Sequence, residues 1–423
     1  MRWLILALAA IPAFALWAWL VFFGTSNGWW RLPLAPPGDA HAFFHAGRHQ
    51  LDQNLRGNAA FRLLAGGRVV GEHYASIGTP VDADTRFQAA SVSKWLTAWG
   101  VMDLVEAGTL ELDEQVSAYL TRWTLPDSAF DNEGVTVRRL LSHTGGLTDG
   151  LGYDGFRSLN DVQPLEESLT HAADATAGAD GRVRVGVEPG SEWRYSGGGY
   201  ALLQLLIEEV TGQDFESYMR VTVLEPLGLT SSTFTLDDDA PRRATFYDES
   251  GSPSPNFHYS VPAAAGLYTT AADLTRFLHA HLPGPAREPP GRGVLAPETL
   301  ALMRQPQASA LGRDVWGLGH MLYAKNAVGG YIIGHDGLNR PANTSAVRLD
   351  PATGDGIVLL ITGNRSLAGR LAGDWTFWKT GKLDIIGFYN ATGDMMIIIA
   401  IGWIVIAIVV VVLGWLATRR RAA

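Results

Sequence analysis

The sequence predicts an α+β domain held between two transmembrane helices. Segments that read as strands lie near both ends of the globular region, around a middle that reads as helical. One sheet is therefore assembled from N- and C-terminal parts of the chain. Each end of the 423-residue chain also carries an uninterrupted apolar run, and both runs have bilayer-spanning length.

Trp3 to Phe23 is apolar throughout, behind Arg2. Ala13-Phe14-Ala15 reads as a cleavage site, but the run continues past it and exceeds the roughly 7–15 residues of a secretory core. The preferred reading is an uncleaved anchor over residues 1–24. Residues 25–40 form a linker in which Pro33, Pro36 and Pro37 oppose regular structure. A globular domain follows over residues 41–383. Phe61 to Ala75 reads as a hairpin around Gly66-Gly67. Ser91 to Ala107 reads as a helix apolar on most sides and closed by Gly108, hence buried and central. Tyr200 to Thr211, closed by Gly212, and Ala271 to His281 read as two more helices. Ser345 to Asp350 and Gly356 to Thr362 form a strand pair around a tight turn. Ser366 to Trp378 closes the domain as an amphipathic helix.

Residues 384–394 read as a juxtamembrane linker, and residues 395–418 as a second transmembrane helix built on the Ile- and Val-rich run Met395 to Ala417. A tail over residues 419–423 carries Arg419, Arg420 and Arg421. Excess Lys and Arg marks the cytoplasmic side. The expectation is a two-pass plasma (inner) membrane protein with both termini cytoplasmic and the domain periplasmic or otherwise extracytoplasmic.

The net charge is -9 and no basic stripe is present, which argues against nucleic acid. The absence of cysteine excludes disulfides, thiolate metal sites and a thiol nucleophile. His41, His45 and His49 fall at i, i+4 and i+8, but no nearby carboxylate or cysteine completes a zinc set. They read as one stripe on a partly exposed helix, and no metal or cofactor is expected.

Three motifs carry chemistry. Ser91-Val92-Ser93-Lys94 opens the buried helix, and positions i and i+3 share a face, so Lys94 reaches the Ser91 hydroxyl. Serine needs such a base, and burial lowers a lysine pKa far enough to supply one. The same tetrad also describes an N-capping serine with a solvated lysine; Trp95, Leu96 and Trp99 around Lys94 favour the buried reading. Arg194-Tyr195-Ser196-Gly197-Gly198-Gly199 opens the next buried helix. Near an ammonium, the Tyr195 phenolate is favoured and can act as base or acid; the bland alternative is a turn tyrosine. Gly334-His335-Asp336-Gly337-Leu338 precedes the final strand pair. There the Leu338 N–H, paired with that of Ser91, forms an oxyanion hole; an ordinary polar turn is the alternative.

These motifs in this order, with Leu140-Leu141-Ser142-His143-Thr144-Gly145-Gly146-Leu147 between the first two, resemble the serine β-lactamase and penicillin-binding-protein family. The nearest branch is the class C β-lactamase, D-Ala-D-Ala carboxypeptidase and esterase group. Phe87 to Ala90, Val187 to Gly190 and Gly266 to Leu274 fit as well. The resemblance runs from Phe61 to Trp378. It implies a β-lactamase/transpeptidase-like fold, with a mixed sheet flanked by helices and a helical part, and the site between them. It also implies acylation of Ser91 followed by hydrolysis, with Lys94 and Tyr195 as the proton-transfer pair. His335 stands where many relatives carry lysine or histidine, and His143 holds a loop near the site.

Two departures bear on substrate. The second motif has Gly197 where the family carries asparagine, and the third has Asp336 where it carries Thr or Ser. With Gly197, Asp336 and Gly337 at the substrate, a carboxylate at 336 would repel anions. A neutral or cationic ester or amide is then expected, and Asp336→Thr is expected to raise acylation by a penicillin. A literal Lys379-Thr380-Gly381 follows the closing helix with no strand pair after it, so His335 is preferred as the third motif's basic residue. The functional expectation is a membrane-anchored serine hydrolase acting on a small ester or amide. The rivals are a penicillin-binding or peptidoglycan (cell-wall peptide) D-amino-acid peptidase or a β-lactamase, and a catalytically weak membrane-held binding protein.

Overall fold

The computed structural model describes residues 2–150, 152–237 and 240–419. Arg420 and Arg421, expected in a cytoplasmic tail, lie outside the described residues. The chain forms two compact units, one over Gly38–Ala372 and one built from the two chain ends.

The terminal unit contains helix α1 (Arg2–Ser26). The larger unit begins with α2 (Ala40–Asn54), capped by Asp39, whose carboxylate accepts the Ala42 N–H at 2.9 Å. His41, His45 and His49 lie on its exposed side. Strands β1 (Asn58–Ala65) and β2 (Arg68–Ser76) form the expected hairpin. Gly66 and Gly67 both have positive φ, as a two-residue hairpin turn requires. The helical middle includes α3 (Ser93–Glu106), α4 (Gly197–Thr211), the short α5 (Pro262–Ala265) and α6 (Ala271–Ala280). The chain then returns as β3 (Ala308–Ala310), β4 (Arg313–Trp316), β5 (Met321–Lys325), β6 (Tyr331–Asn339), β7 (Asn343–Asp350) and β8 (Asp355–Ile361). Helix α7 (Leu367–Thr380) follows.

The eight strands form one sheet in the order β2-β1-β8-β7-β6-β5-β4-β3. The expected mixed sheet is corrected here: every pairing among these strands is antiparallel. Short turns join β1 to β2 and β3 through β8 in sequence, and a parallel neighbour would need a long crossover connection. Both sheet faces are covered. Ala60, Val347, Val358 and Leu360 join the core that includes α3 and α4. On the opposite face Phe61 stacks against Phe44 of α2, with ring centres 5.1 Å apart. Burial on both faces explains why β7 is buried along its whole length.

In the terminal unit, α1 packs with α8 (Ile385–Arg419). Two indoles tie the helices reciprocally: Trp17 Nε1 donates to the Ile398 carbonyl at 3.2 Å, and Trp403 Nε1 to the Phe14 carbonyl at 3.0 Å. Val21, Phe388, Met395 and Ile399 form a small apolar core, and Arg31 pairs with Asp374. Ile385–Leu416 is the one described helix long and apolar enough to cross a bilayer, and the apolar part of α1, Ala10–Ser26, is shorter. Residues 384–394, expected as a linker, are largely helical. The Asp384 carboxylate accepts the Gly387 N–H at 2.5 Å, capping a helix that no proline interrupts. The literal Lys379-Thr380-Gly381 ends α7 instead of lying on a strand.

Candidate active site

Ser91 lies in a single 3-10 turn, Ala90–Val92, at the head of α3. Three hydrogen bonds pin this turn. Ala89 N–H donates to Leu267 O at 2.7 Å, Ser93 Oγ to Ala90 O at 2.6 Å, and Ser345 Oγ to Ala89 O at 2.6 Å. Ala90 is held at φ +51°, a left-handed conformation that costs a residue with a Cβ roughly 1–2 kcal/mol. Helix α3 then runs through the core, which buries Lys94 to 2% exposure.

Lys94 Nζ donates to Ala264 O at 2.7 Å, at the end of α5, and to Ser91 Oγ at 3.4 Å. Burial pushes its pKa down to about 7, against the opposing pull of Asp149. Tyr195 also hydrogen-bonds Ser91, yet burial raises its phenol above the ordinary value. The Lys94 ammonium lies over the Tyr195 ring, 5.1 Å from its centre. The expectation of a favoured phenolate is therefore corrected: at neutral pH Tyr195 is a phenol, because desolvation outweighs the lowering effect of its hydrogen bond.

The Tyr195 turn is built by residues that the motifs only bordered. Ser196 caps α4, its Oγ accepting the Gly199 N–H at 2.9 Å, so the helix opens on the three glycines. Asp149, buried, accepts from Ser196 Oγ and from Gly198 N–H, the latter at 2.7 Å. His143 stacks on Tyr195 at 4.3 Å, and its Nδ1 accepts the Ser196 N–H at 3.2 Å. Its remaining hydrogen is thus on Nε2, and burial holds the ring neutral. Trp316 walls the group, 4.6 Å from His143, 5.4 Å from His335 and 5.7 Å from Tyr195. Asp149 stands two residues beyond the Leu140–Leu147 tract, so the one available signal was adjacency to a motif. Nothing in the local sequence marked Trp316.

On β6, His335 is buried and its Nδ1 lies 2.6 Å from Asp336 O. A carbonyl only accepts, so Nδ1 carries the hydrogen and Nε2 the lone pair. Burial, reinforced by Lys94, lowers its pKa to about 3. The ring is neutral and supplies no cation. Gly337 allows β6 to approach Ser91: a Cβ there would lie 2.6 Å from Ala89 O and 2.8 Å from Ala90 Cβ. Leu338 follows on the same strand with an exposed side chain.

Asp336 requires a correction. His335 and Gly337 pair with Val347 and Ser345, and Asp336 with Ala346, so the Asp336 side chain is on the opposite sheet face. There its carboxylate accepts from the fully buried Arg348 at 2.7 Å and from Tyr323 Oη at 2.7 Å. A Cβ on Gly369 of α7 would be 3.4 Å from Asp336 Oδ2. The carboxylate is an internal counter-ion and does not repel substrate at the Ser91 face.

A family model described as beta-lactamase matches residues 45–380. Penicillin-binding protein 4 of Amycolatopsis lactamdurans is 34% identical over 321 residues, covering 70% of this chain and 80% of that protein. Esterase EstB of Burkholderia gladioli is 30% identical over 287 residues, covering 58% and 68%. Among solved structures, the octameric penicillin-binding protein homologue from Pyrococcus abyssi aligns with a TM-score of 0.65 at 23% identity, covering 82% of this chain and 79% of that one. The D-amino acid amidase from Ochrobactrum anthropi SV3 aligns with a TM-score of 0.62 at 22% identity, covering 84% and 100%. These two likenesses concern the fold.

Proposed function

This chain belongs to the beta-lactamase family, and from that premise we propose that it is a membrane-anchored serine hydrolase forming an acyl-enzyme on Ser91 with a neutral ester or amide. One observation carries the reading: the Ser91 hydroxyl is shared by a buried amine with a pKa of about 7 and by a phenol. Neutral Lys94 takes the Ser91 proton as Oγ attacks the carbonyl carbon. Tyr195 protonates the leaving group and recovers its proton from Lys94. In the second half, water gives a proton to the same pair as it attacks the acyl carbon, and the bond to Ser91 Oγ breaks as the pair returns that proton to Oγ, releasing the acid. The N–H groups of Ser91 and Leu338 hold the oxyanion, with Gly337 allowing β6 its close approach. His335 offers Nε2 as an acceptor beside Tyr195.

A neutral substrate follows from the charges near the site. His335 is held neutral, Lys94 serves as base, and Arg348 is engaged by Asp336. None of these is left to bind a substrate carboxylate. The likeness to a penicillin-binding protein supports a second reading, acylation by a cell-wall peptide or a penicillin.

The first test is hydrolysis of a nitrophenyl ester by the full chain in detergent, wild type against Ser91→Ala. Activity that persists in the variant would overturn the reading. Labelling by a fluorescent penicillin that exceeds ester turnover would favour the second. Two-pass anchoring through α1 and α8 is supported by their indole bonds and by the apolar residues that α8 leaves exposed. Because the chain has no cysteine, single cysteines placed near Arg2 and in the 419–423 tail report sidedness directly. Labelling of either end from outside the cell would exclude the two-pass arrangement.

A further inference from the structure

Gly197 stands two residues beyond Tyr195, as the first residue of α4. A Cβ built there would come 2.8 Å from Tyr153 Cε2, 3.3 Å from Cδ2 and 3.6 Å from the Gly152 Cα. The side-chain space of position 197 is therefore already filled, and by the edge of an aromatic ring. Among the described residues the Tyr153 hydroxyl is buried without a hydrogen-bond partner.

Tyr153 is held from both sides. Thr176 donates to Gly152 O through N–H at 3.2 Å and Oγ1 at 2.9 Å. Asp154 N–H donates to Asp174 O at 2.6 Å, and Asp154 pairs with Arg340 at 2.7 Å. The ring packs on the cluster of Phe257, Tyr259 and Ala265. Ala265 adjoins Ala264, whose carbonyl anchors Lys94. Tyr153 thus bridges the start of α4, which Tyr195 precedes by two residues, and the end of α5, whose Ala264 carbonyl holds Lys94.

We infer that Tyr153 determines the acyl specificity of this site: its ring edge replaces any side chain at position 197 with an apolar wall beside Tyr195. That wall selects acyl groups that are hydrocarbon next to the scissile carbonyl and disfavours acyl groups that carry an amide there. This rests on the serine-hydrolase reading above. An amide pressed against a ring edge loses its water and gains no partner, a loss that amounts to about tenfold or more in kcat/KM.

The experiment compares two substrates with one leaving group, nitrophenyl butyrate and the nitrophenyl ester of N-acetylglycine, on the full chain in detergent. Wild type is expected to prefer the butyrate by about tenfold or more. Tyr153→Phe should keep that ratio, because the ring does the selecting. Gly197→Asn should lose activity on both substrates through the steric clash. Tyr153→Ala, and more so Tyr153→Ala with Gly197→Asn, should move the ratio toward the N-acetylglycyl ester by about tenfold, chiefly through KM. A Tyr153→Ala variant with the wild-type ratio overturns the inference, as does Gly197→Asn shifting the ratio alone without loss. Fluorophosphonate labelling of Ser91 checks each variant. Labelled enzyme with an unmoved ratio refutes the role of Tyr153 alone, whereas unlabelled, inactive wild type refutes the hydrolase reading beneath it.

Discussion

Lys94→Met should abolish hydrolysis and yet leave a protein more stable at neutral pH. The fall of the Lys94 pKa from 10.5 to about 7 means that folding disfavours the ammonium. At about 1.36 kcal/mol per pKa unit, the cost is roughly 4 kcal/mol at pH 7 and about 2 kcal/mol at pH 9. Between those pH values the unfolded chain binds more protons than the folded one, so wild-type stability rises with pH and the penalty is largest below 7. Methionine removes the penalty but leaves Ala264 O without its partner, a loss of about 1–3 kcal/mol. The variant should therefore gain about 2 kcal/mol at pH 7, and the gain should shrink by a similar amount by pH 9. Denaturant unfolding of both proteins in detergent at pH 6, 7, 8 and 9 measures this. A stability difference that does not change with pH, or that grows toward pH 9, would refute a buried lysine depressed by desolvation.

Other outcomes follow from the same geometry. Wild-type kcat/KM on an uncharged ester should rise with pH through about 7, since only the neutral amine accepts the Ser91 proton. Because anionic Asp149 raises the Lys94 pKa, Asp149→Asn should move that limb to lower pH in a stopped-flow pH profile. Gly337→Ala should cost about a hundredfold in kcat, the scale of a displaced oxyanion donor, because its Cβ forces β6 away from the Ala89–Ala90 turn; steady-state kinetics with a circular-dichroism control checks it. Asp336→Ala should destabilise the domain by about 3–5 kcal/mol by removing the carboxylate that pairs with the buried Arg348. Asp336→Thr should leave penicillin acylation of folded enzyme no higher than wild type, the reverse of the expectation from sequence.

The elements that bring Ser91, Lys94 and Tyr195 together were legible because local periodicity encodes them. A serine and lysine three apart at the head of an apolar helix share a face in any fold, and a tyrosine before glycines at a helix start is tied to that start. What the sequence left obscure depended on non-local facts. Which side of β6 faces Ser91 is decided by pairing with β7, so Asp336 could not be assigned to a face from its neighbours in the chain. Tyr195 was misjudged in protonation because burial arises from His143 and Trp316, far away in sequence. The antiparallel sheet depended on β3 to β5, short strands with little alternation. Residues 384–394 were read as a juxtamembrane linker, whereas an aspartate cap and an apolar continuation carry the helix through them.

Placing β8 beside β1 also sets a timetable for synthesis. Ala59 finds its partner only when Ile361 has been made, so the β1–β2 hairpin emerges with one side of β1 unpaired while the whole helical middle is still being translated. Such an open strand edge invites pairing with other chains, and so distant a partner makes closure slow. The nascent chain is thus most exposed to aggregation before its last strand arrives. A ribosome that stalls or a message that ends before Asp355 would release a chain carrying every residue of the serine–lysine–tyrosine group, yet with β1 and β7 both left as open edges.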